Sequence, residues 1–481
     1  MQKKSAIRLI LAYGMPLALY AFVAWQSWGF DDEIYNIKLV EGLSLGQLFV
    51  AVQSDDVHPP LSYIINYLLF HALGSWSLVR VASASFVVLA LALFCEQIRE
   101  QHGRHGWRLA YVGLLLSPSI LMWCTSIRWY SYLLPVLAIA LILPKRRAGW
   151  VYWMTGAAFC VVMSYISYIG LIASAGVLLW RYLNRDISEK HLTVIVVALL
   201  LSSLAYLPQV YYLLTVHLHN MGGQVAPLLY SLAGAGLTAF GNHGLFPVSV
   251  PAILLLGAWL VFLACNLRLR DFVSREGLPL LAVVILLVAS GLSFKYRNAL
   301  ILMPFLFLWV SARGSSDTNL SRMFLGVLIF CTGIGLYHVV THQSTLKHGW
   351  NINYGQVFNS IDELSAGCDE AYVGTFDQVV IDHLKHNEYA LVSLGTSAHA
   401  SDTCFILIDA SQSLAESEAI STLIADNPAD ETLQLSHDDQ ISIRKMVIPT
   451  YLSEGVRIFV YRGADFCTDQ CSIFNFYSRR P

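Results

Sequence analysis

Acidic, imidazole and guanidinium side chains are concentrated in one short part of the chain, residues 28–80. The groups that could take part in chemistry there are Asp31, Asp32, Glu33, Asp55, Asp56, His58 and Arg80. A carboxylate can accept the proton of an attacking hydroxyl group, and cations or imidazole can stabilise the charge of a departing phosphate. The combination predicts group transfer from a phosphate-linked donor. One carboxylate base suffices for such a reaction, unlike glycoside hydrolysis with its pair of carboxyl groups.

The same residues also have ordinary structural explanations. Acidic residues favour the first turn of a helix, which accounts for Asp31 and its neighbours without any chemistry. Paired acids such as Asp55 and Asp56 are common in solvated loops, and the Pro59-Pro60 pair after them can start a helix. The residue types alone leave both explanations open.

The composition predicts that most of the chain lies in a membrane. Of its 481 residues, 56% are hydrophobic and only 13% are charged, whereas a soluble domain carries about 25% charged residues. The formal net charge of -2 argues against a nucleic-acid partner, which requires a basic face. The first apolar run lacks a small-residue cleavage pattern, so we expect a retained helix rather than a signal peptide.

Eleven apolar runs are predicted as membrane spans, with bounds good to a few residues. They cover residues 7–28, 78–95, 108–124, 130–144, 149–166, 168–182, 191–208, 249–266, 277–294, 298–312 and 323–342. The run Leu61–Leu73 is too short to cross, and we expect it to lie along the membrane surface as an interfacial helix.

Basic residues assign the two sides of the membrane. With the N-terminus inside, every inner segment carries at least two Lys or Arg residues, and the outer segments carry few. Eleven spans then place the C-terminal third outside. The unusual polar groups of residues 28–80, and the later Arg128, Lys295 and Arg297, fall at the outer ends of the spans. The chain is thus expected to comprise a membrane domain, 1–342, with an outer active-site loop, 29–79, and a soluble domain, 343–481.

The C-terminal domain is predicted to be a small α/β domain, because short β-like runs alternate with helix-like ones after residue 351. Four of the nine cysteines lie in this part: Cys368, Cys404, Cys467 and Cys471. An oxidising compartment would allow two disulfides, and four cysteines allow three pairings. We expect Cys368–Cys404 together with Cys467–Cys471.

The order of these features resembles the membrane glycosyltransferases of the C superfamily (GT-C). The matching sequences are D-E-I-Y at 32–35, H-P-P-L-S-Y at 58–63, the stretch 74–80 that ends in an arginine, R-W-Y at 128–130 and K-Y-R at 295–297. The resemblance covers residues 7–310. It is strongest to family 39, the polyprenyl-phosphate-mannose protein mannosyltransferases, and to the related lipid A aminoarabinose transferases. It implies a GT-C-type membrane fold.

The resemblance also implies roles for particular residues. Asp32 would be the catalytic base of an inverting transfer, with Glu33 beside it. Because a further acid, Asp31, precedes this pair, the base could instead be the residue one position earlier. The donor phosphate would be bound by His58, Arg80, Arg128, Lys295 and Arg297. Further substrate contacts would come from Tyr35, Asp55, Asp56, Tyr63 and Tyr130. No cofactor is required by the spacing, but Asp32, Asp55 and His58 could hold a divalent metal.

The expected activity is that of a hexosyl- or pentosyltransferase in the bacterial cytoplasmic membrane, with a cytoplasmic N-terminus and a periplasmic C-terminal domain. It would move a sugar from undecaprenyl phosphate to a protein, lipid A or polysaccharide acceptor on the outer face. One alternative is an O-antigen-type polymerase or ligase, although the outer loop 209–248 has three histidines and no Lys or Arg. The other is a transporter or flippase of lipid-linked sugars, which the lack of charges near mid-membrane disfavours.

Overall fold

The computed structural model divides the chain into two compact units. One comprises Met1–Ser27 and Tyr35–Val340, and the other comprises Trp28–Ile34 and Thr341–Pro481. The residues that the structure describes are 2–27, 31–55, 58–142, 150–204, 207, 274–289, 296–313, 319–340, 354–368, 370–375, 380–381, 384, 389–392, 403–409, 429–434, 457–462 and 475–479. They form a mostly helical chain with a small C-terminal sheet, as the sequence predicts.

Most helices described before residue 341 lie in the apolar runs of the sequence, whereas two short helices, at 31–42 and 45–55, lie in the predicted outer loop. The helices are α1 (Gln2–Gln26), α2 (Asp31–Gly42), α3 (Leu45–Asp55), α4 (Leu61–Leu73), α5 (Trp76–Ala110), α6 (Pro118–Cys124), α7 (Trp129–Ile142), α8 (Trp150–Ile166), α9 (Ile169–Leu183), α10 (Glu189–Ser203), α11 (Gly277–Ala289), α12 (Leu302–Arg313) and α13 (Asn319–Val340). A π-helical turn, Tyr111–Leu115, follows α5, and a 3-10 helix, Tyr296–Ile301, precedes α12.

Helix α5 is the element on which several others pack, among them α1, α7 and α12. Together with the π-helical turn it covers 40 residues, Trp76–Leu115. Gly103 interrupts it, with φ 74° and ψ -171°. The break separates the segment predicted as the span 78–95 from the one predicted to start at 108.

The predicted span 108–124 is not one helix. It contains the end of α5, the π-helical turn and α6, which begins at Pro118. Proline has no backbone N–H and disfavours a helical conformation for the residue before it. Ser117 is accordingly extended, and its side chain caps α6 by accepting a hydrogen bond from the Ile120 N–H at 3.4 Å.

Two helices in the described part of the chain are long and apolar enough to cross a membrane: Trp76–Leu115 and Asn319–Tyr337. Other apolar helices in the same part are between 10 and 17 residues long. The run predicted as the span 249–266 lies outside the described residues. The arrangement with eleven spans therefore stays a prediction.

Hydrogen bonds between distant segments join parts that the charge pattern assigns to the same side. The Ser311 hydroxyl donates to the Gly106 carbonyl at 3.0 Å. His105 Nε2 and the Ser321 hydroxyl lie 2.5 Å apart. All four residues belong to predicted inner ends or inner loops, so these contacts agree with the predicted alternation of sides.

Among its described residues, the C-terminal unit contains helix α14 (Tyr354–Ala366), further helical residues at 380, 381 and 384, and a mixed sheet. The strands are β1 (Glu370–Thr375), β2 (Tyr389–Val392), β3 (Thr403–Asp409), β4 (Glu431–Gln434), β5 (Arg457–Arg462) and β6 (Asn475–Arg479). Their order in the sheet is β2-β6-β1-β3-β5-β4. Only the central pair, β1 and β3, is parallel among these strands. One of the helix-like runs that the sequence shows in this domain, 414–424, lies outside the described residues.

The two faces of the sheet carry different side chains. On one face, Val357 and Ile361 of α14 pack with Val373, Ile406 and other buried aliphatic residues. On the other face, the rings of Tyr372 and Phe405 stack with centroids 5.4 Å apart, and Phe476 meets Phe405 edge to face at 6.1 Å. Both faces are therefore apolar, and the strands read as nearly continuous hydrophobic runs.

The disulfide predicted between Cys368 and Cys404 is present, with Cα atoms 5.9 Å apart. Cys368 follows α14, and Cys404 lies in the central strand β3, so the bond ties the covering helix to the middle of the sheet. The second predicted pair, Cys467–Cys471, lies outside the described residues.

Replacing both cysteines of this disulfide by alanine is expected to destabilise the C-terminal unit by about 4 kcal/mol, because the unfolded chain regains the entropy of an open loop. The loop closes over a sequence separation of 36 residues. Equilibrium unfolding of the full-length protein, followed by protease cleavage within the C-terminal unit, measures the loss. A reductant should cause a larger loss in the wild type than in the double variant, which keeps only the second predicted pair, Cys467–Cys471. Unchanged stability in the double variant would contradict the expectation.

Gly103→Ala is expected to lower the free energy of unfolding by about 1–3 kcal/mol, because its backbone conformation is nearly restricted to glycine. The control is Gly333→Ala in α13. An added Cβ would meet nothing within 4 Å at either position, and only Gly103 of the two has a positive φ. The control should be neutral or slightly stabilising, because alanine favours a helix. Unfolding in mixed detergent micelles compares the two variants, and equal stabilities would argue against strain at this break.

Candidate active site

The link between α6 and α7, residues 125–128, is a buried break in the helical backbone. All four of its residues are at most 4% exposed. A buried carbonyl outside a helix needs a hydrogen-bond donor, because water cannot reach it. Hydroxyl groups supply several: Thr125 donates to the Met122 carbonyl at 3.2 Å, and Ser126 donates to the Trp123 carbonyl at 3.0 Å.

The same pattern continues on the far side of the break. The Ser131 hydroxyl, in the first turn of α7, donates to the Ser126 carbonyl, and the Ser131 backbone N–H donates to the Arg128 carbonyl at 3.0 Å. Small hydroxyl side chains therefore make it possible for the chain to turn from α6 into α7 without exposing its backbone.

The carbonyl of Ile127 is bound by two other helices. Asn66 of α4 donates to it at 3.1 Å, and Asn36 of α2 donates at 3.5 Å. Both asparagines are fully buried. One peptide oxygen thus joins the break to two helices that lie 61 and 91 residues earlier in the chain.

Asn66 is held by a further series of hydrogen bonds. Its amide nitrogen also donates to Asn36 Oδ1 at 3.3 Å, and its own Oδ1 accepts from the Tyr132 hydroxyl. The Ser83 hydroxyl of α5 donates to the Tyr132 oxygen at 3.1 Å. These hydrogen bonds connect side chains of α5, α7, α4 and α2, in that order. Both the nitrogen and the oxygen of the Asn66 amide are hydrogen-bonded.

The break leads directly to a residue that lies beside one predicted phosphate ligand, and it contains another. Arg128 is its last residue, and the next residue, Trp129, lies beside His58, with ring centroids 6.4 Å apart and planes inclined by 40°. His58 is partly exposed, whereas Arg128 is 4% exposed. Arg80, a third predicted phosphate ligand, is 5% exposed in the second turn of α5.

Two predicted substrate contacts are packed in apolar surroundings. Tyr63 is 1% exposed and belongs to a cluster with Val40, Leu48 and Val52, which joins α2, α3 and α4. Tyr130 is 1% exposed, and Trp123 meets its ring edge to face at 5.6 Å. Packing against neighbouring side chains explains why both tyrosines are buried, and their role as substrate contacts stays a prediction.

The acidic residues are described less completely. Asp31 begins α2, so Asp32 and Glu33 lie in its first turn, and the Glu33 side chain is buried. The backbone of several other predicted residues is described, but their side chains are not: Asp31, Asp32, Tyr35, Asp55 and Arg297. Asp56 and Lys295 lie wholly outside the described residues.

A metal site remains a sequence-based prediction. Within the described residues, no group of three or more His, Cys, Asp or Glu side chains could hold a metal ion. The proposed ligands Asp32 and Asp55 have side chains outside that part, so their prediction is untested.

Sequence reasoning missed the amide and hydroxyl groups that organise the break: Asn36, Asn66, Ser83 and Tyr132. A signal was nevertheless available. An asparagine within an apolar helix, as at Asn66 in α4, must find a partner, and polar side chains of this kind join helices in a membrane protein. The sequence does not indicate that the partner is a backbone carbonyl.

Comparison with known proteins identifies no relative. The chain matches no protein-family model, no curated protein and no solved structure. A functional assignment therefore depends on the residues, on their geometry and on the resemblance of the sequence motifs.

Tyr132→Phe is expected to destabilise the protein by about 1–3 kcal/mol, because it removes the hydroxyl that donates to the buried Asn66 oxygen. Tyr182→Phe is the control, since its hydroxyl makes an exposed bond of 3.3 Å to Glu189, and it should change stability by less than about 0.5 kcal/mol. Unfolding in micelles measures both variants. A Tyr132→Phe protein as stable as the control would show that the hydroxyl does not support the break.

Proposed function

We propose that this protein is a multi-pass membrane glycosyltransferase of the GT-C type with eleven spans. It transfers a sugar, with inversion, from a polyprenyl-phosphate donor to an acceptor on the outer face of the bacterial cytoplasmic membrane. The observation that carries the proposal is the buried break at residues 125–128. It ends at Arg128, and the ring of the next residue, Trp129, lies beside that of His58, at the predicted outer ends of the helices.

Exposed apolar side chains support the membrane location. Leu200 and Leu201 of α10 are 63% and 62% exposed, and Phe330 of α13 is 55% exposed. Similar residues lie on α1, α5, α8 and α11, among them Met15, Phe22, Leu89, Leu93, Met154 and Ile285. Soluble proteins rarely expose apolar patches of this extent. In a bilayer these side chains would contact acyl chains.

The disulfide supports the proposed orientation. Disulfides persist in oxidising compartments and are rare in the cytosol. The Cys368–Cys404 bond lies in the C-terminal unit, which the charge pattern assigns to the outer side. Redox chemistry and loop charge are independent observations, and they favour the same orientation.

Buried cations support the binding of a phosphate. Arg80 and Arg128 are almost fully buried, and a guanidinium can bind phosphate oxygens through two parallel hydrogen bonds. Charge interactions are stronger in such surroundings than in water. His58 adds a group that can donate a hydrogen bond, and Lys295 and Arg297 are proposed to contribute from the segment before α12.

In the proposed reaction the Asp32 carboxylate accepts the proton of the acceptor hydroxyl. The acceptor oxygen then attacks the anomeric carbon, and the bond between that carbon and the phosphate oxygen breaks. The electron pair leaves with the polyprenyl phosphate, whose additional charge the basic residues stabilise.

Asp32→Asn is expected to reduce transfer by about 10²–10⁴-fold, because the amide cannot accept the proton. The purified protein is given a panel of polyprenyl-phosphate sugars with protein, lipid A and polysaccharide acceptors. Mass spectrometry then measures the release of polyprenyl phosphate and the new glycoside. Asp31→Asn is the matched control and should stay active.

The outcomes of this experiment separate the candidate functions. Loss of activity in Asp31→Asn with full activity in Asp32→Asn would move the base by one residue. Extension of a polysaccharide chain by repeat units would favour the polymerase. Movement of lipid-linked sugar across vesicles, with no chemical product and no effect of Asp32→Asn, would favour a flippase and would contradict the proposed enzyme.

A further inference from the structure

We infer that Asn66 is a positioning residue for the donor phosphate. It acts through the peptide between Ile127 and Arg128, and it does not touch the donor itself. The inference rests on the proposed function, because it assumes that Arg128 and His58 bind the phosphate of a polyprenyl carrier.

The position of Asn66 within the hydrogen-bond network carries the inference. Its amide nitrogen is 3.1 Å from the Ile127 carbonyl oxygen, and that carbonyl belongs to the peptide whose nitrogen is the nitrogen of Arg128. Rotation of this peptide would turn the first bond of the Arg128 side chain. The hydrogen bond from Asn66 opposes that rotation.

The same helix also positions His58. Asn66 lies in the second turn of α4, and His58 precedes the buried Pro59 and Pro60 at the start of that helix. The His58 ring lies next to the ring of Trp129, the residue after Arg128. Two contacts therefore join the α4 region to the segment 127–132: the hydrogen bonds of the Asn66 amide, and the contact between the His58 and Trp129 rings. The proposed phosphate ligand His58 lies on the α4 side of these contacts, and Arg128 lies in the segment 127–132.

The amide of Asn66 can occupy only one orientation in this network. Its nitrogen faces the carbonyl of Ile127 and Oδ1 of Asn36, which are both acceptors, and its oxygen faces the hydroxyl of Tyr132. Reversing the amide would place its oxygen against two acceptors. Because the Asn66 amide has a single favourable orientation, it can hold the peptide between Ile127 and Arg128 in a single orientation as well.

Asn66→Asp is the most informative substitution, because aspartate has the same shape but no N–H group. It keeps the acceptor for Tyr132 and places an oxygen against the Ile127 carbonyl. We expect the dissociation constant of undecaprenyl phosphate to rise by roughly 10- to 100-fold, in line with the effect of a misplaced binding group. Asn66→Ala, which removes the amide altogether, should have a similar effect and serves as the second variant if Asn66→Asp fails to fold.

Ser174→Ala is the matched control for a buried hydrogen bond. The Ser174 hydroxyl is buried, joins α9 to the Cys160 carbonyl of α8 at 3.1 Å, and also bonds to the Gly170 carbonyl. Its removal should lower stability and leave the binding of undecaprenyl phosphate within about twofold, a range expected for a distant independent site. This variant separates general destabilisation from a specific effect on binding.

The experiment measures the binding of undecaprenyl phosphate to the detergent-purified full-length protein. It compares the wild type with the single variants described above, with Arg128→Lys, and with the double variant that carries both Asn66→Asp and Arg128→Lys. If Asn66 acts through Arg128, the double variant should bind about as weakly as Arg128→Lys alone, because residues that act as a unit are not additive. A merely structural role predicts no such result.

The inference alone is overturned if the wild type binds and transfers while the folded Asn66 variants bind equally tightly, or if the two losses in the double variant simply add. A wild type that does not bind undecaprenyl phosphate at all overturns the proposed function and this inference together. The two failures are therefore distinguishable.

Discussion

The carbonyl of Ile127 is the point on which the proposed site depends. A helix that stops inside a membrane protein leaves peptide groups without partners, and no water is available to replace them. Here the break between α6 and α7 is completed by hydroxyl groups from its own turns and by two asparagines from α2 and α4. These hydrogen bonds satisfy the buried backbone groups of the break, and they also hold the backbone that carries Arg128.

Helix α5 supplies the scaffold around that break. It is the surface on which α1, α7 and α12 pack, and its Ser83 hydroxyl anchors the Tyr132 end of the network. Gly103 divides its long apolar stretch at the predicted inner surface, where Gly106 and His105 bond to Ser311 and Ser321. The helix therefore connects a cluster of structural hydrogen bonds, predicted to lie on the inner side, with the functional candidates that are predicted to lie on the outer side.

The C-terminal unit is stabilised in a different way. Its sheet is apolar on both faces, with aliphatic residues against α14 and aromatic rings on the other side. A disulfide joins the end of the helix region to the central strand. A domain of about 130 residues can bury a modest core, and the covalent bond adds stability to it.

The amino-acid sequence by itself determined the features that depend on local patterns. Apolar runs predicted a mostly helical chain, and the short run Leu61–Leu73 forms α4 with those bounds. Four β-like runs predicted β1, β2, β3 and β5, whereas β4 and β6 were missed, since pairing with neighbours rather than composition defines short strands. The cysteine count made the bond between Cys368 and Cys404 one of three possible pairings.

Only the tertiary structure decided how the candidate site is assembled. Charged residues in outer segments pointed to Arg128 and His58, but the contact between His58 and Trp129, the residue after Arg128, comes from packing between distant segments of the chain. The amide groups of Asn36 and Asn66 donate hydrogen bonds to a backbone carbonyl. Every residue has a backbone carbonyl, so the residue types in the sequence do not show which one these amides bind. Local periodicity can predict helices because it depends on near neighbours in the chain. The network around Ile127 depends on distant ones, and folding alone brings them together.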